Sequence, residues 1–99
     1  MTFPDLVQQF EAHVAERLPF ELLETHYTPY AFGSGYAVYR IRGYLVELVF
    51  DGKDGFVTVN ISAKHAAHPG TSSTEAYAGS QNDFLANGSR EVVATLSAR

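Results

Sequence analysis

The chain has four histidines, eleven carboxylates and no cysteine, so any reaction it ran would rest on imidazole, carboxylate and hydroxyl groups. Thiol nucleophiles, cysteine zinc sites and disulfide scaffolds are excluded, and nothing points to an oxidising compartment. The groups suited to proton transfer are His13, His26, Glu47 and the aspartates. Glu47 stands out because it breaks an otherwise apolar run, Tyr44 to Phe50. Its spacing sets it diagonal to Arg40 across a strand pair, and a cross-strand ion pair accounts for it at a few tenths of a kcal/mol, roughly. As a general base it lacks a partner.

The remaining motifs dissolve on inspection. His65 and His68 have helical i, i+3 spacing, but Pro69 follows at once and a zinc site needs a third or fourth ligand nearby. Asp51-Gly52-Lys53-Asp54-Gly55 begins like a calcium loop, yet Lys53 stands where an oxygen is required and no glutamate closes it. Gly33-Ser34-Gly35 has neither the lysine of a phosphate loop nor the pattern of a nucleophile elbow. Asn60-Ile61-Ser62 and Asn87-Gly88-Ser89 match the glycosylation pattern, which has no meaning without secretion. We therefore expect no catalytic set, no metal and no cofactor.

The elements that would position these groups are best defined between Gly35 and Ser62. Ala37, Tyr39 and Ile41 alternate with Tyr36, Val38, Arg40 and Arg42; Tyr44, Val46, Leu48 and Phe50 alternate with Leu45, Glu47, Val49 and Asp51; Val57, Val59 and Ile61 alternate with Phe56, Thr58 and Asn60. Period-2 alternation of this kind predicts an antiparallel meander over 35–62. A two-residue turn at Arg42-Gly43 sets Ile41 opposite Tyr44, Tyr39 opposite Val46 and Ala37 opposite Leu48. A turn within Gly52 to Gly55 sets Asp51 opposite Phe56, Phe50 opposite Val57, Leu48 opposite Val59 and Val46 opposite Ile61. Apolar residues meet apolar residues throughout, and a one-residue slip would reverse a whole strand.

Ahead of the meander, Phe3, Leu6, Val7, Phe10, Val14 and Leu18 form one apolar stripe, predicting a helix over 4–18. Thr2 and Asp5 fit a capping box, and Pro19 ends the helix. Residues 21–28 read as a candidate edge strand, limited by Pro29. Residues 66–82 are small and polar apart from Tyr77, and we expect a long loop over 63–82, with Ser73 or Thr74 able to cap a short helix through Tyr77. Phe84, Leu85, Val92, Val93 and Leu96 suit a helical segment over 83–98, interrupted by Asn87-Gly88 and restarted by Ser89 as N-cap. A strand over 91–96 is the alternative. The fold class expected is α+β, in a single domain: an N-terminal helix on a three- or four-stranded antiparallel meander, then a long loop and a C-terminal helical segment.

The whole net charge of −4 resides in residues 1–24, where Asp5, Glu11, Glu16, Glu21 and Glu24 face only Arg17. No basic face suggests nucleic acid, and the acidic segment favours a basic protein partner or serves as a solvated helix face. The first residues show no basic leader or apolar run, and no stretch approaches the ~20 apolar residues of a membrane span, so a cytoplasmic location is the expectation. The outward face of the meander carries Tyr36, Val38, Leu45, Val49 and Phe56 beside Arg40, Arg42, Glu47 and Asp51. Aromatics and arginine among short apolar residues match protein–protein hot spots. Alternatively, the C-terminal helix covers this face, or it forms a homodimer interface.

In size, charge and layout over the whole chain, the protein resembles the small immunity proteins with which bacteria inhibit the toxins of their neighbours. No family motif carries the resemblance, so no residue roles transfer. It implies a protein-binding module acting as a stoichiometric inhibitor of a toxin or nuclease. The contact residues expected are Glu11, Glu16, Tyr36, Arg40, Glu47, Asp51, Asp54 and Phe56. Two alternatives stay open. One is a phage-encoded inhibitor of a host defence or nuclease complex. The other is a small-ligand binder or small enzyme with a pocket between helix and sheet lined by Tyr27, Tyr30, Tyr39 and Tyr44.

Overall fold

In the computed structural model, which describes residues 2–99, helix α1 spans Phe3–Ala15. Its start is fixed by the reciprocal cap the sequence suggests: Thr2 N–H donates to the Asp5 carboxylate at 3.0 Å, and Asp5 N–H donates to Thr2 Oγ1 at 3.5 Å. The helix ends three residues before the expected Leu18, because Arg17 and Leu18 N–H both turn onto the Val14 carbonyl ahead of Pro19.

Five strands follow: β1 (Glu21–Thr28), β2 (Ser34–Ile41), β3 (Tyr44–Asp51), β4 (Phe56–Lys64) and β5 (Thr74–Ser80). They form one antiparallel sheet in sequence order, with β1 and β5 at the edges. The meander has the register that parity demands, including Tyr39 opposite Val46, Ala37 opposite Leu48, Phe50 opposite Val57 and Leu48 opposite Val59. The count of three or four strands is corrected to five. Within the expected loop 63–82 lies β5, in place of a short helix through Tyr77. It pairs with β4 from Ile61–Thr74 to Phe56–Ser80, setting Tyr77 opposite Val59.

The last segment is a continuous helical path: α2 (Gln81–Asp83), a π-helical turn (Phe84–Gly88) and α3 (Ser89–Ala98). Ser80 caps it, accepting the Asp83 N–H at 3.2 Å. Ser89 is therefore a buried helical residue and not an N-cap, and Asn87-Gly88 does not interrupt the helix. A β-carbon on Gly88 would overlap the ring of Tyr77, so the residue that looked like a breaker is what lets the helix close on the sheet. Tyr77 Oη donates to Asp83 at 2.5 Å, a bond that holds the Asp83 carboxyl below its ordinary range.

Both helical segments lie on the same face of the sheet. Phe3, Leu6, Phe10 and Val14 of α1, with Phe84, Val92, Val93 and Leu96, bury Ala37, Tyr39, Ile41, Val46, Leu48, Val57, Val59, Ile61 and Tyr77. Arg42 Nη1 donates to the carbonyls of Leu96 (2.9 Å) and Ser97 (2.7 Å), placing a cation at the negative end of α3. The C-terminal helix thus leaves the opposite face uncovered. On that outer face a small second cluster buries only Val38 and Leu45, beneath Ala66 of the segment after β4. No helix among the described residues is long and apolar enough to cross a membrane.

Candidate interaction face

The pleat sends alternate residues of β1, β2 and β3 to the outer face, and three of these strands build one shallow depression there. Glu24, His26 and Thr28 come from β1, Tyr36 from β2, and Glu47 and Val49 from β3; together with Ser34, Gly35 and Phe50 they line a volume of about 530 Å³. The strand register places His26 beside Tyr36, and Tyr36 beside Val49. The His26 and Tyr36 rings lie 5.6 Å apart. The Tyr36 hydroxyl is raised above its ordinary pKa, first by hydrogen bonding to Glu24, then by burial and by the charges of Glu24 and Glu47. The face therefore combines two carboxylates, an imidazole and a phenol around an apolar floor. Phe56 adds an aromatic ring, 45 % exposed, at the β4 end of the same face.

The eight residues expected to meet a partner separate into three groups. Tyr36, Arg40, Glu47 and Phe56 share the outer face. Arg40 and Glu47 do not form the expected ion pair, because Arg40 Nη1 reaches back to the Gly43 carbonyl at 3.1 Å. That carbonyl sits at the tight β2–β3 turn. Glu47 acts instead on the neighbouring Tyr36, whose hydroxyl its charge helps to raise. Asp51 and Asp54 lie at the β3–β4 hairpin, where Asp51 Oδ1 accepts the N–H groups of Lys53 (3.0 Å) and Asp54 (3.4 Å) and so shapes the turn. Glu11 and Glu16 belong to the helix side. Glu11 accepts a hydrogen bond from Tyr39 Oη at 2.9 Å, and burial, followed by this bond, drives the Tyr39 hydroxyl far above its usual range. Glu16 borders a separate hollow of about 200 Å³ with His13, Arg17, Arg90 and Val93.

The other chemistries read from the sequence are likewise placed. His13 Nδ1 lies 2.6 Å from Ser89 Oγ, but Ser89 is buried, so this pair ties α1 to α3 and offers no accessible nucleophile. The four tyrosines of the alternative pocket do not converge. Tyr39 fills the core against Phe10 and Phe20, and Tyr44 lies beneath Lys64 and Arg99. Tyr27 stacks on Phe3 at 6.0 Å, and Tyr30 is 97 % exposed.

Glu24 and His26 are the face residues that sequence reasoning did not assign to a contact surface. Their signal was present in the run Glu24 to Thr28, where they alternate with Thr25 and Tyr27. It was hidden by the bulge between Leu22 and Glu24, which breaks the parity of β1. Comparison of the chain with protein-family models, curated proteins and solved structures finds no match.

Proposed function

We propose that this chain is a protein-binding module of the stoichiometric-inhibitor type, which docks a basic protein such as a toxin or nuclease on the outer face of its sheet. The observation that carries this reading is the one-sided layering. Both helical segments stack on one face, and the other presents a concave surface with Glu24 and Glu47 around Tyr36 and Val49. A cationic side chain entering the depression meets two carboxylates, while Tyr36 and Phe56 supply the rigid aromatic area typical of interface anchors. An acidic face also speeds encounter with a basic partner, which suits an inhibitor that must capture its target quickly.

Capture of tagged protein from native lysate, with mass and light scattering of what elutes, tests this. The expected result is a stoichiometric partner that is retained by Glu16→Lys on the helix side. Glu47→Lys combined with Phe56→Asp should weaken it roughly 100-fold, in line with loss of a central charge pair and an aromatic anchor. Retention by the outer-face double variant and loss with Glu16→Lys would move the contact to the helices and overturn the reading.

A further inference from the structure

The β1 edge is a second exposed surface, adjoining the outer-face depression, with which it shares Glu24, His26 and Thr28. Seven of its eight residues are exposed and its outward ladder is unpaired, a template for another strand. Leu22 (42 %) and Tyr27 (39 %) are large apolar side chains left in contact with water here. With Phe3, Pro4, Val7 and Thr25 they line an apolar groove of about 300 Å³ between α1 and the strand. Leu22, Thr25 and Tyr27 therefore face the helix side, while Glu24 and His26 face the outer side.

This pattern is self-complementary under a two-fold axis. In an antiparallel pair, directly opposed residues share a face, so an axis between two copies of β1 must pass through a residue and not between two. Centred on Thr25, the pairing opposes the two threonines and places Glu24 of each copy against His26 of the other. Tyr27 of each copy then meets the Leu22–Leu23 bulge of the other, beside the apolar groove. Centring on His26 instead would oppose two imidazoles and leave Glu24 facing Thr28, which forgoes both gains. Polar pairs that can hydrogen-bond, such as carboxylate with imidazole, and aromatic–aliphatic pairs are cross-strand combinations that stabilise a ladder.

We infer that the chain forms a symmetric dimer by antiparallel β1–β1 pairing centred on Thr25, joining two five-stranded sheets into one continuous sheet. The partner is a second copy because the strand satisfies its own polar and apolar groups in this register. The dimer sets two outer faces side by side, a consequence that goes beyond the binding reading above.

Sedimentation velocity of the full chain from about 10 to about 500 µM reads the state directly. The expected species has twice the 10.9 kDa chain mass. Thr25→Lys, which brings two ammonium groups together at the axis, should shift the protein to monomer with an unchanged circular dichroism spectrum. Glu24→Lys should also give monomer, by removing the carboxylate that meets the imidazole across the ladder. Adding His26→Glu sets a carboxylate opposite the new ammonium group in the same register and should recover the dimer, a rescue that a merely misfolded variant would not show. A wild-type monomer throughout, a dimer indifferent to Thr25→Lys, or β1 amides protected only by a different bound protein would each overturn the inference.

Discussion

Phe10→Ala is expected to lower the unfolding free energy by about 4 kcal/mol, the range for deleting a fully buried phenylalanine that leaves a cavity. Phe10 is wholly excluded from solvent, and its ring centroid lies 5.4 Å from that of Tyr39 and 5.9 Å from that of Phe84. From α1 it thus touches both the centre of the sheet and the C-terminal helical path. Its removal loosens the docking of α1 and of the segment after β5 together, so the structure has little freedom to collapse around the gap. A domain of this size has roughly 5–15 kcal/mol in total, so the variant should populate unfolded chain at moderate urea. Equilibrium urea denaturation followed by far-UV circular dichroism checks this. A loss below about 1 kcal/mol would mean that α1 does not pack on the sheet as described.

Gly52→Ala should be destabilising by about 3 kcal/mol, for a different reason. Gly52 does not have the left-handed backbone that usually demands glycine; the positive φ values at this hairpin belong to Gly55. Its constraint is contact. A β-carbon there would fall on the Phe32 carbonyl of the β1–β2 turn, while its N–H donates to Ser34 Oγ at 2.9 Å. Two turns far apart in sequence are pressed backbone to backbone, and backbone cannot yield as a flexible side-chain tip does. Gly55 has φ +65° with nothing near its missing β-carbon. Gly55→Ala should therefore cost only the conformational penalty, about 1 kcal/mol. The ordering of the two midpoints in parallel urea titrations is the check. Equal losses would show that the turns do not touch.

What could be read from the sequence depended on how many side chains of each element are buried. The meander was legible to the residue, because β2, β3 and β4 bury one whole face and any slip would have set polar groups against the core. The strand β5 was illegible for the converse reason. Of Thr74 to Ser80 only Tyr77 is buried, so no alternation announces a strand, and its pairing comes from the neighbouring ladder and not from its own pattern. The C-terminal segment misled through Asn87-Gly88, where a glycine placed to admit the Tyr77 ring looks locally like a stop. The outer face was ambiguous because Val38 and Leu45 are as apolar as core residues. Only tertiary structure shows that the segment carrying Ala66, and not a helix, covers them. Tyr36, Glu47 and Phe56 were correctly grouped by parity. Glu24 and His26 were not, since the register of a bulged edge strand cannot be counted from its own residues.

Hydroxyl-radical footprinting of the captured complex against the free chain reads out whether a basic protein docks on the outer face of the sheet. Tyr36 and Phe56 are oxidisable reporters on that face, and Tyr30 reports on the β1–β2 turn beyond it. Docking there should lower oxidation of Tyr36 and Phe56 several-fold, while side chains of α1 and α3 react as before. Protection confined to α1 and α3, with Tyr36 and Phe56 unchanged, would contradict it.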